Sequence, residues 1–182
     1  GSLTYIKNTV EEYLSYKPEP YELLIDNQTV KEKAFLVACG NASQYGNNAF
    51  IAPHANIQDG KMDITILSPF GPLDIAPLAI QLFTKQIDRN SKIKTFKGKE
   101  VTIIRQNPGV MHLDGEPIMA DSRIEISVLP KSLNVLTPET VSFTEEVQNR
   151  KTCFRLEALD CLRQLINLIF LMKYSFQPML FQ

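Results

Sequence analysis

The sequence lacks a glycine-rich loop. Its eight glycines are scattered so that no two lie closer than six residues. This spacing excludes both the dinucleotide pattern G-x-G-x-x-G and the P-loop pattern G-x-x-x-x-G-K-[ST]. Loops of those kinds bind nucleotide phosphates through backbone N–H groups at a helix N-terminus. The sequence therefore contains no recognisable phosphate-binding loop.

Several other signals are also missing. The 19 basic and 20 acidic side chains give a net charge of −1, whereas general nucleic-acid binders are usually basic, so we expect no nucleic-acid partner. The three cysteines form no C-x-x-C pair, which favours a reducing, cytoplasmic compartment over a disulfide framework. Neither histidine has a second ligand at zinc-site spacing. No apolar run approaches the ~20 residues that span a membrane.

A length of 182 residues suits one domain with an appendage. Gly1 and Ser2 resemble the remnant of a tag. We interpret residues 3–138 as the domain and residues 139–182 as a helical tail of unknown role.

Short runs rich in Val, Ile, Leu and Phe alternate with turn residues in the middle of the chain, as in an antiparallel β-sandwich or barrel. The predicted strands cover Tyr21–Ile25, Ala34–Ala38, Met62–Leu67, Val101–Arg105, Arg123–Leu129 and Leu133–Leu136. Apolar residues at helical spacing predict helices over Tyr5–Tyr16, over Ile75–Phe83 and from about Asn149. We therefore predict a mainly β fold: an antiparallel β-sandwich with an N-terminal helix, a short inserted helix and a helical C-terminal tail.

Two acidic segments are candidates for chemistry. In His112–Pro117, Asp114 and Glu116 would share one face of an extended strand, where one of two neighbouring carboxylates can accept a proton from a substrate hydroxyl. The alternative is a plain Asp-Gly hairpin turn at Asp114. In Asn56–Asp63, the aspartates and loop carbonyls suit a hard cation, and the alternative is again an Asp-Gly hairpin.

Two further segments leave alternatives open. The stretch Lys85–Lys99 is strongly basic and fits either anionic lipid headgroups or a solvated strand face. The apolar stripe of the tail predicts a packed helix, whose partner is this domain, a domain absent from the sequence or a second copy of the chain.

Five segments, in order, resemble the bacterial diacylglycerol kinase and sphingosine kinase-like lipid kinases. They are the helix Tyr5–Tyr16 with Lys17-Pro18; Leu36–Gly46, similar to v-v-a-N-G-x-x-y-G-G-G; Ile51–Asp63, similar to i-A-P-x-A-x-x-D-D-G-x-l-D; His112–Pro117, similar to x-L-D-G-E-P; and Val128–Pro138. The resemblance covers Thr4–Pro138. Two departures are that Cys39-Gly40-Asn41 reorders the usual Ala-Asn-Gly and that Gln58 replaces a frequent second acid.

The resemblance implies the C-terminal β-sandwich domain of an ATP-dependent lipid kinase that phosphorylates diacylglycerol or a related lipid alcohol. In that family an N-terminal domain carries the nucleotide site and a G-G-D-G-T motif, which this sequence lacks. We therefore expect that ATP binds mainly to a missing N-terminal domain and that the fragment alone is inactive. The parent enzyme would be cytoplasmic and peripheral to the inner face of the membrane, where it meets its lipid substrate.

The same resemblance implies residue roles. Asp114 would be the general base and Glu116 would support it. Asp59, with the backbone carbonyls of Asn56 and Lys61, would hold a magnesium ion that orders its loop. Two alternatives remain for the whole chain: the C-terminal domain of an NAD kinase-like enzyme, or a non-catalytic module that binds a lipid or a partner through the basic stretch and the tail.

Overall fold

The computed structural model describes residues 17–46 and 48–134. In that part of the chain the strands are β1 (Glu19–Ile25), β2 (Gln28–Ala34), β3 (Leu36–Gly40), β4 (Met62–Leu67), β5 (Ile93–Gly98), β6 (Glu100–Arg105), β7 (Gly109–Leu113), β8 (Glu116–Ala120) and β9 (Arg123–Ser127). The helix α1 covers Ile75–Phe83, and short 3-10 turns at Pro72–Asp74 and Ile87–Arg89 flank it.

The larger sheet has four antiparallel strands in the order β2-β1-β6-β9. Every second residue of β1 is buried, namely Tyr21, Leu23 and Ile25, and β6 follows the same alternation. Because successive side chains of a strand point to opposite faces, this pattern gives the sheet one apolar face. That face forms one side of the main core.

The second sheet has three antiparallel strands in the order β3-β4-β5. Its central strand β4 is buried from Met62 to Ile66, on both faces. On one face, Ile64 packs with Leu23 and Val101 of the four-stranded sheet. A second apolar cluster joins α1 to the same sheet through Ile93 of β5. The architecture is therefore a β-sandwich with a helix packed outside it.

The strands β7 and β8 form a separate two-stranded sheet, paired with each other alone within the described residues. The two-residue connection Asp114-Gly115 joins them, with Leu113 opposite Glu116 in the register. This hairpin therefore takes its position from contacts other than a strand ladder with the sandwich.

The predicted fold class is confirmed, and so are the strand Met62–Leu67 and the helix Ile75–Phe83, at both ends. The predicted strand Ala34–Ala38 is wrong as a single element because β2 ends at Ala34 and β3 begins at Leu36. Leu133 and Asn134 lie in no strand, and the rest of that prediction falls outside the described residues. The predicted N-terminal helix and the tail 139–182 also lie outside them.

Candidate functional site

A cleft of about 390 Å³ lies beside the β7–β8 hairpin. The walls of this apolar cleft come from β1, β3, β4, β6, β7 and β9 and are mainly aliphatic, with Val37, Ile103, Met111 and Ile124 among them. Clefts of this size with mostly apolar walls and a few polar groups are the usual form of small-molecule sites. The shape and lining of this cleft suit a ligand with a hydrocarbon chain.

Burial raises the pKa of several polar groups along the apolar cleft, so that they stay uncharged over a wider pH range. Burial raises the pKa of the Cys39 thiol to about 12, so the thiol stays protonated at neutral pH and packs in the wall instead of acting as a nucleophile. Burial also raises the pKa of the Tyr45 phenol. The pKa of Tyr21 is raised mainly by burial and further by Glu19, against a smaller opposing effect of Arg105. The cleft therefore offers uncharged hydroxyl groups to a ligand.

Asp114 lies at the tip of the β7–β8 hairpin and lines the apolar cleft. Its φ of 50° and the φ of 92° at Gly115 are the two positive values of a type I′ turn, the form that Asp-Gly favours. Asp114 is solvent-exposed, and no hydrogen bond or ion pair engages its carboxylate among the described residues. The carboxylate is therefore free to meet a group at the mouth of the cleft.

The turn corrects one step of the sequence argument. Asp114 and Glu116 were expected to share a face of one extended strand, but Asp114 lies in the turn and Glu116 begins β8. The hairpin that stood as the alternative is the observed structure. It does not remove Asp114 from the cleft, although Glu116 is exposed and is not part of the cleft wall. The general-base role of Asp114 and the supporting role of Glu116 stay predictions.

Arg105 anchors the base of the β7–β8 hairpin. This residue is 7% exposed, and its guanidinium donates to the carbonyl oxygens of Gly109 and Ala120, both at 2.6 Å, of Asp121 at 3.2 Å and of Val110 at 3.3 Å. Both strands of the hairpin are thus held by one side chain at the end of β6. A planar cation with several donors in fixed directions is well suited to this task.

Arg105 did not emerge from the sequence as a site residue, although a signal existed. The alternation of β6 places Val101, Ile103 and Arg105 on the same face. Because a charged residue in register with two core residues is rarely buried without a specific partner, this position predicted an interior contact. The sequence could not say that the contact was the hairpin that carries Asp114.

His112 is a second residue that the sequence argument did not use. It lines the apolar cleft two residues before Asp114, and its Nε2 is buried with no hydrogen-bond partner among the described residues. A buried polar atom without a partner calls for a physical explanation. A ligand or an ordered water molecule in the cleft would supply one.

We call residues 54–63 the acidic loop; they comprise the connection before β4 and the first two residues of that strand. Two side chains in it close Asx-type turns: Asn56 Oδ1 accepts from the N–H of Gln58 at 2.9 Å, and Asp59 Oδ1 accepts from the N–H of Lys61 at 2.8 Å. The carbonyl of Asn56 accepts from the N–H of Asp59 at 3.3 Å. Gly60 follows with a φ of 66°. These bonds within the loop give it a defined local shape.

A lysine reaches the acidic loop from β5. The Nζ of Lys97 lies 3.3 Å from Asp59 Oδ2, 3.1 Å from Asp63 Oδ2 and 3.1 Å from the carbonyl oxygen of His54. The pKa of Asp59 is lowered, first by the Lys61 backbone N–H and then by Lys97. Of the predicted magnesium ligands, Asn56, Asp59 and Lys61, the structure brings all three into one loop. Whether they hold a metal stays a prediction.

The basic stretch Lys85–Lys99 is largely paired. Lys92 lies 3.9 Å from Asp74, and Lys94 lies 2.5 Å from Glu32. Lys85 lies over the ring of Phe50 at 4.3 Å from its centre. Since these cations already have partners, the stretch is less free to bind anionic headgroups than its composition suggests. Within residues 17–46 and 48–134, no helix is long and apolar enough to cross a bilayer.

Residues 1–137 match the family described as the YegS C-terminal NAD kinase beta sandwich-like domain. A protein named probable lipid kinase YegS-like, from Shewanella frigidimarina (strain NCIMB 400), is 29% identical over 125 residues, 69% of this chain and 40% of that protein. A diacylglycerol kinase from Mycobacterium tuberculosis (strain CDC 1551 / Oshkosh) is 27% identical over 143 residues, 76% of this chain and 44% of that protein. A crystal structure of a diacylglycerol kinase from Bacillus anthracis str. Sterne superposes with a TM-score of 0.45 and 20% identity over 64% of this chain and 42% of that one. The chain thus spans less than half the length of the curated relatives it matches.

Proposed function

This chain belongs to the family of YegS C-terminal NAD kinase beta sandwich-like domains, and we propose that it is the lipid-binding and catalytic-base half of an ATP-dependent lipid kinase. Two kinds of evidence support the proposal: the relatives named as lipid kinases and diacylglycerol kinases, and the geometry of the apolar cleft. The substrate class is diacylglycerol or a related lipid alcohol.

The observation that carries the proposal is a carboxylate without a partner at the mouth of an apolar cleft. The hydrocarbon part of a lipid alcohol would lie against Val37, Ile103 and the other aliphatic walls of the cleft. Its hydroxyl would then lie at the hairpin tip, where Asp114 is exposed. Such an arrangement fixes the reacting hydroxyl relative to a base, which is a large part of how phosphoryl-transfer enzymes act.

The reaction follows from this placement. The lipid hydroxyl oxygen attacks the γ-phosphorus of ATP, so that a new O–P bond forms while the bond to the ADP oxygen breaks. The hydroxyl proton passes to the Asp114 carboxylate, and Glu116 would support that base, as the resemblance implies. Magnesium bound with ATP neutralises phosphate charge in reactions of this class. ATP itself would bind mainly to an N-terminal domain of the same parent chain.

The residues around Asp114 also support the proposal that the enzyme acts at a membrane surface. On the hairpin, Leu113 is 58% exposed and Met119 is 71% exposed. Large apolar side chains in such positions are typical of surfaces that meet a partner or a membrane. We place the parent enzyme in the cytoplasm, peripheral to the inner face of the membrane. A homodimer through the tail helix stays a prediction outside the described residues.

The apolar cleft favours a lipid kinase over an NAD kinase-like enzyme. A dinucleotide carries phosphates and riboses, whereas the cleft walls are mainly aliphatic. The ion-paired lysines of β5 likewise make a purely electrostatic lipid-binding module a weaker alternative.

A substrate comparison tests the proposal. The parent protein and the 182-residue chain are each assayed with ATP and magnesium, with either diacylglycerol or NAD as acceptor. We expect phosphatidic acid from the parent with diacylglycerol and no turnover by the chain alone. Phosphorylation of NAD in preference to lipid supports the NAD kinase-like alternative. A parent without kinase activity, but with salt-sensitive binding to anionic vesicles, supports the non-catalytic module.

A further inference from the structure

The ammonium group of Lys97 lies among carboxylate and carbonyl oxygens of the acidic loop. This group lies within 3.3 Å of two carboxylates, Asp59 and Asp63, and 3.1 Å from the carbonyl oxygen of His54. These oxygens come from both ends of the acidic loop. One cation therefore ties the start of the loop, its turn and the first residues of β4 to the neighbouring strand.

The register of the sheet fixes this arrangement. Asp63 of β4 lies directly opposite Lys97 of β5 in the antiparallel ladder, and residues opposite each other on one face are close neighbours. Asp63 is 7% exposed, so its carboxylate needs a positive partner in place of water. Lys97 supplies that charge through an ion pair at 3.1 Å, although Asp63 Oδ2 has no hydrogen-bond partner among the described residues. The same ammonium also reaches the loop.

We propose that the ammonium of Lys97 is the resident cation of the acidic loop and takes the place of the divalent metal that the resemblance predicts there. The loop then keeps its conformation without magnesium. This inference concerns the loop alone, so it does not depend on the lipid substrate or on the proposed role of Asp114.

The oxygen atoms of the loop support the proposal. Asp59, the one carboxylate among the predicted metal ligands, uses Oδ1 for the N–H of Lys61 and Oδ2 for Lys97. A divalent ion at Oδ2 would lie beside a fixed ammonium, and like charges at such short range repel. The residues therefore suit the ammonium better than a metal at the same oxygen.

The charge states agree with this reading. Backbone and Lys97 hydrogen bonds lower the pKa of Asp59. For Lys97, partial desolvation acts to lower the pKa, but attraction from Asp63 and Asp59 and the hydrogen bond to Asp59 together raise it. Both partners are thus ionised in the neutral range, and the contact there is an ion pair.

Metal dependence of stability tests the proposal. The melting temperature of the chain, and the amide resonance of Gly60, are measured in EDTA and in millimolar MgCl₂. For the wild-type chain we expect no difference. For Lys97→Met we expect a lower melting temperature in EDTA, because Asp59 and Asp63 then face each other without a cation, and recovery of part of the loss in MgCl₂, because a ligand that binds only the folded state stabilises it.

Two further variants complete the design. Lys94→Met removes a charge from the same strand, where the lysine pairs with Glu32 away from the acidic loop, and should show no magnesium response. Lys97→Met combined with Asp63→Asn should regain stability in EDTA. A saturable rise in melting temperature with magnesium in the wild-type chain overturns the proposal, and this arm stands even if Lys97→Met fails to fold. A Lys97→Met variant as stable as wild type in EDTA also overturns it.

Discussion

Two Asp-Gly turns in this chain have the same dipeptide and opposite surroundings. Gly60 and Gly115 both have positive φ, 66° and 92°. At the first turn, both carboxylate oxygens of Asp59 are hydrogen-bonded, to Lys61 and to Lys97. At the second, the carboxylate of Asp114 has no such partner in the part of the chain that the structure describes.

Under the proposed function, the difference lets the same turn chemistry serve two purposes. A carboxylate whose oxygens are engaged contributes to the fold and is not available to a substrate. A carboxylate left open at the mouth of an apolar cleft contributes little to stability and is available for reaction. The neighbours brought in by the sheets, Lys97 in one case and the cleft in the other, decide which purpose a turn serves.

The hairpin that carries Asp114 should be the more easily disrupted region, because one side chain anchors it. Arg105→Met leaves four carbonyl acceptors without their donor, and each buried polar group left without a partner costs about 1–3 kcal/mol. Since these carbonyls are only partly buried, we expect a total loss of about 3 kcal/mol in the free energy of unfolding. Urea denaturation measures it.

The same variant has a local readout. In Arg105→Met, hydrogen exchange should become faster first at the amides of β7 and β8. The amides of β4 should stay as protected as in the wild-type chain. Arg123→Met is the control, because Arg123 pairs with Glu125 at 2.8 Å in an exposed position and should cost less than about 0.5 kcal/mol. Equal losses for the two variants would remove Arg105 as the anchor.

Alanine substitutions at the two turn glycines, Gly60 and Gly115, form a matched pair. Their expected loss of stability is smaller than that of Arg105→Met. Alanine at Gly60 would meet nothing closer than Pro130 at 3.9 Å, and alanine at Gly115 would meet nothing within 4 Å. Each substitution should therefore cost about 1 kcal/mol, from the positive φ alone. Thermal unfolding measures both, and we expect lower kinase activity of the parent only for Gly115→Ala, which moves Asp114. A similar loss of activity in both variants would contradict the distinction between the turns.

The smallest effect is a pH dependence at the first turn. Because the pKa of Asp59 is lower in the folded chain than its ordinary value of about 4, the stability it contributes is complete above about pH 4 and is lost as the pH falls through the lowered value. The Lys61 amide resonance should report this titration, and Asp59→Asn should abolish it. Titration of Asp59 at or above about pH 4 would contradict the hydrogen bonding described.

The sequence predicted those elements whose pattern is local. β4 alternates apolar residues with Asp63 and Thr65, and α1 has a clear helical period, so both were placed at their observed ends. β2 and β5 were missed because they lie at sheet edges and carry two lysines each, as edge strands often carry charge. Because of these charges, the sequence of the two segments resembles that of a loop or of a basic surface.

The candidate site was predictable only in part. The Asp-Gly dipeptides mark both turns, and the family resemblance singled out Asp114 and Asp59. The contacts that distinguish the two turns are long-range: Lys97 is 38 residues from Asp59, and Arg105 is 15 residues from Ala120. Such contacts depend on sheet register, which no local pattern specifies.

Asp114 is proposed to serve chemistry, whereas Asp59 serves structure. The most direct test is the turnover number of the parent enzyme with ATP and diacylglycerol, measured for Asp114→Asn and Asp59→Asn. Asp114→Asn should lower kcat by about 100- to 10,000-fold with an unchanged melting temperature, whereas Asp59→Asn should lower the melting temperature and keep kcat near wild type. A near-normal kcat for Asp114→Asn, or a collapse of kcat for a folded Asp59→Asn enzyme, would contradict the account.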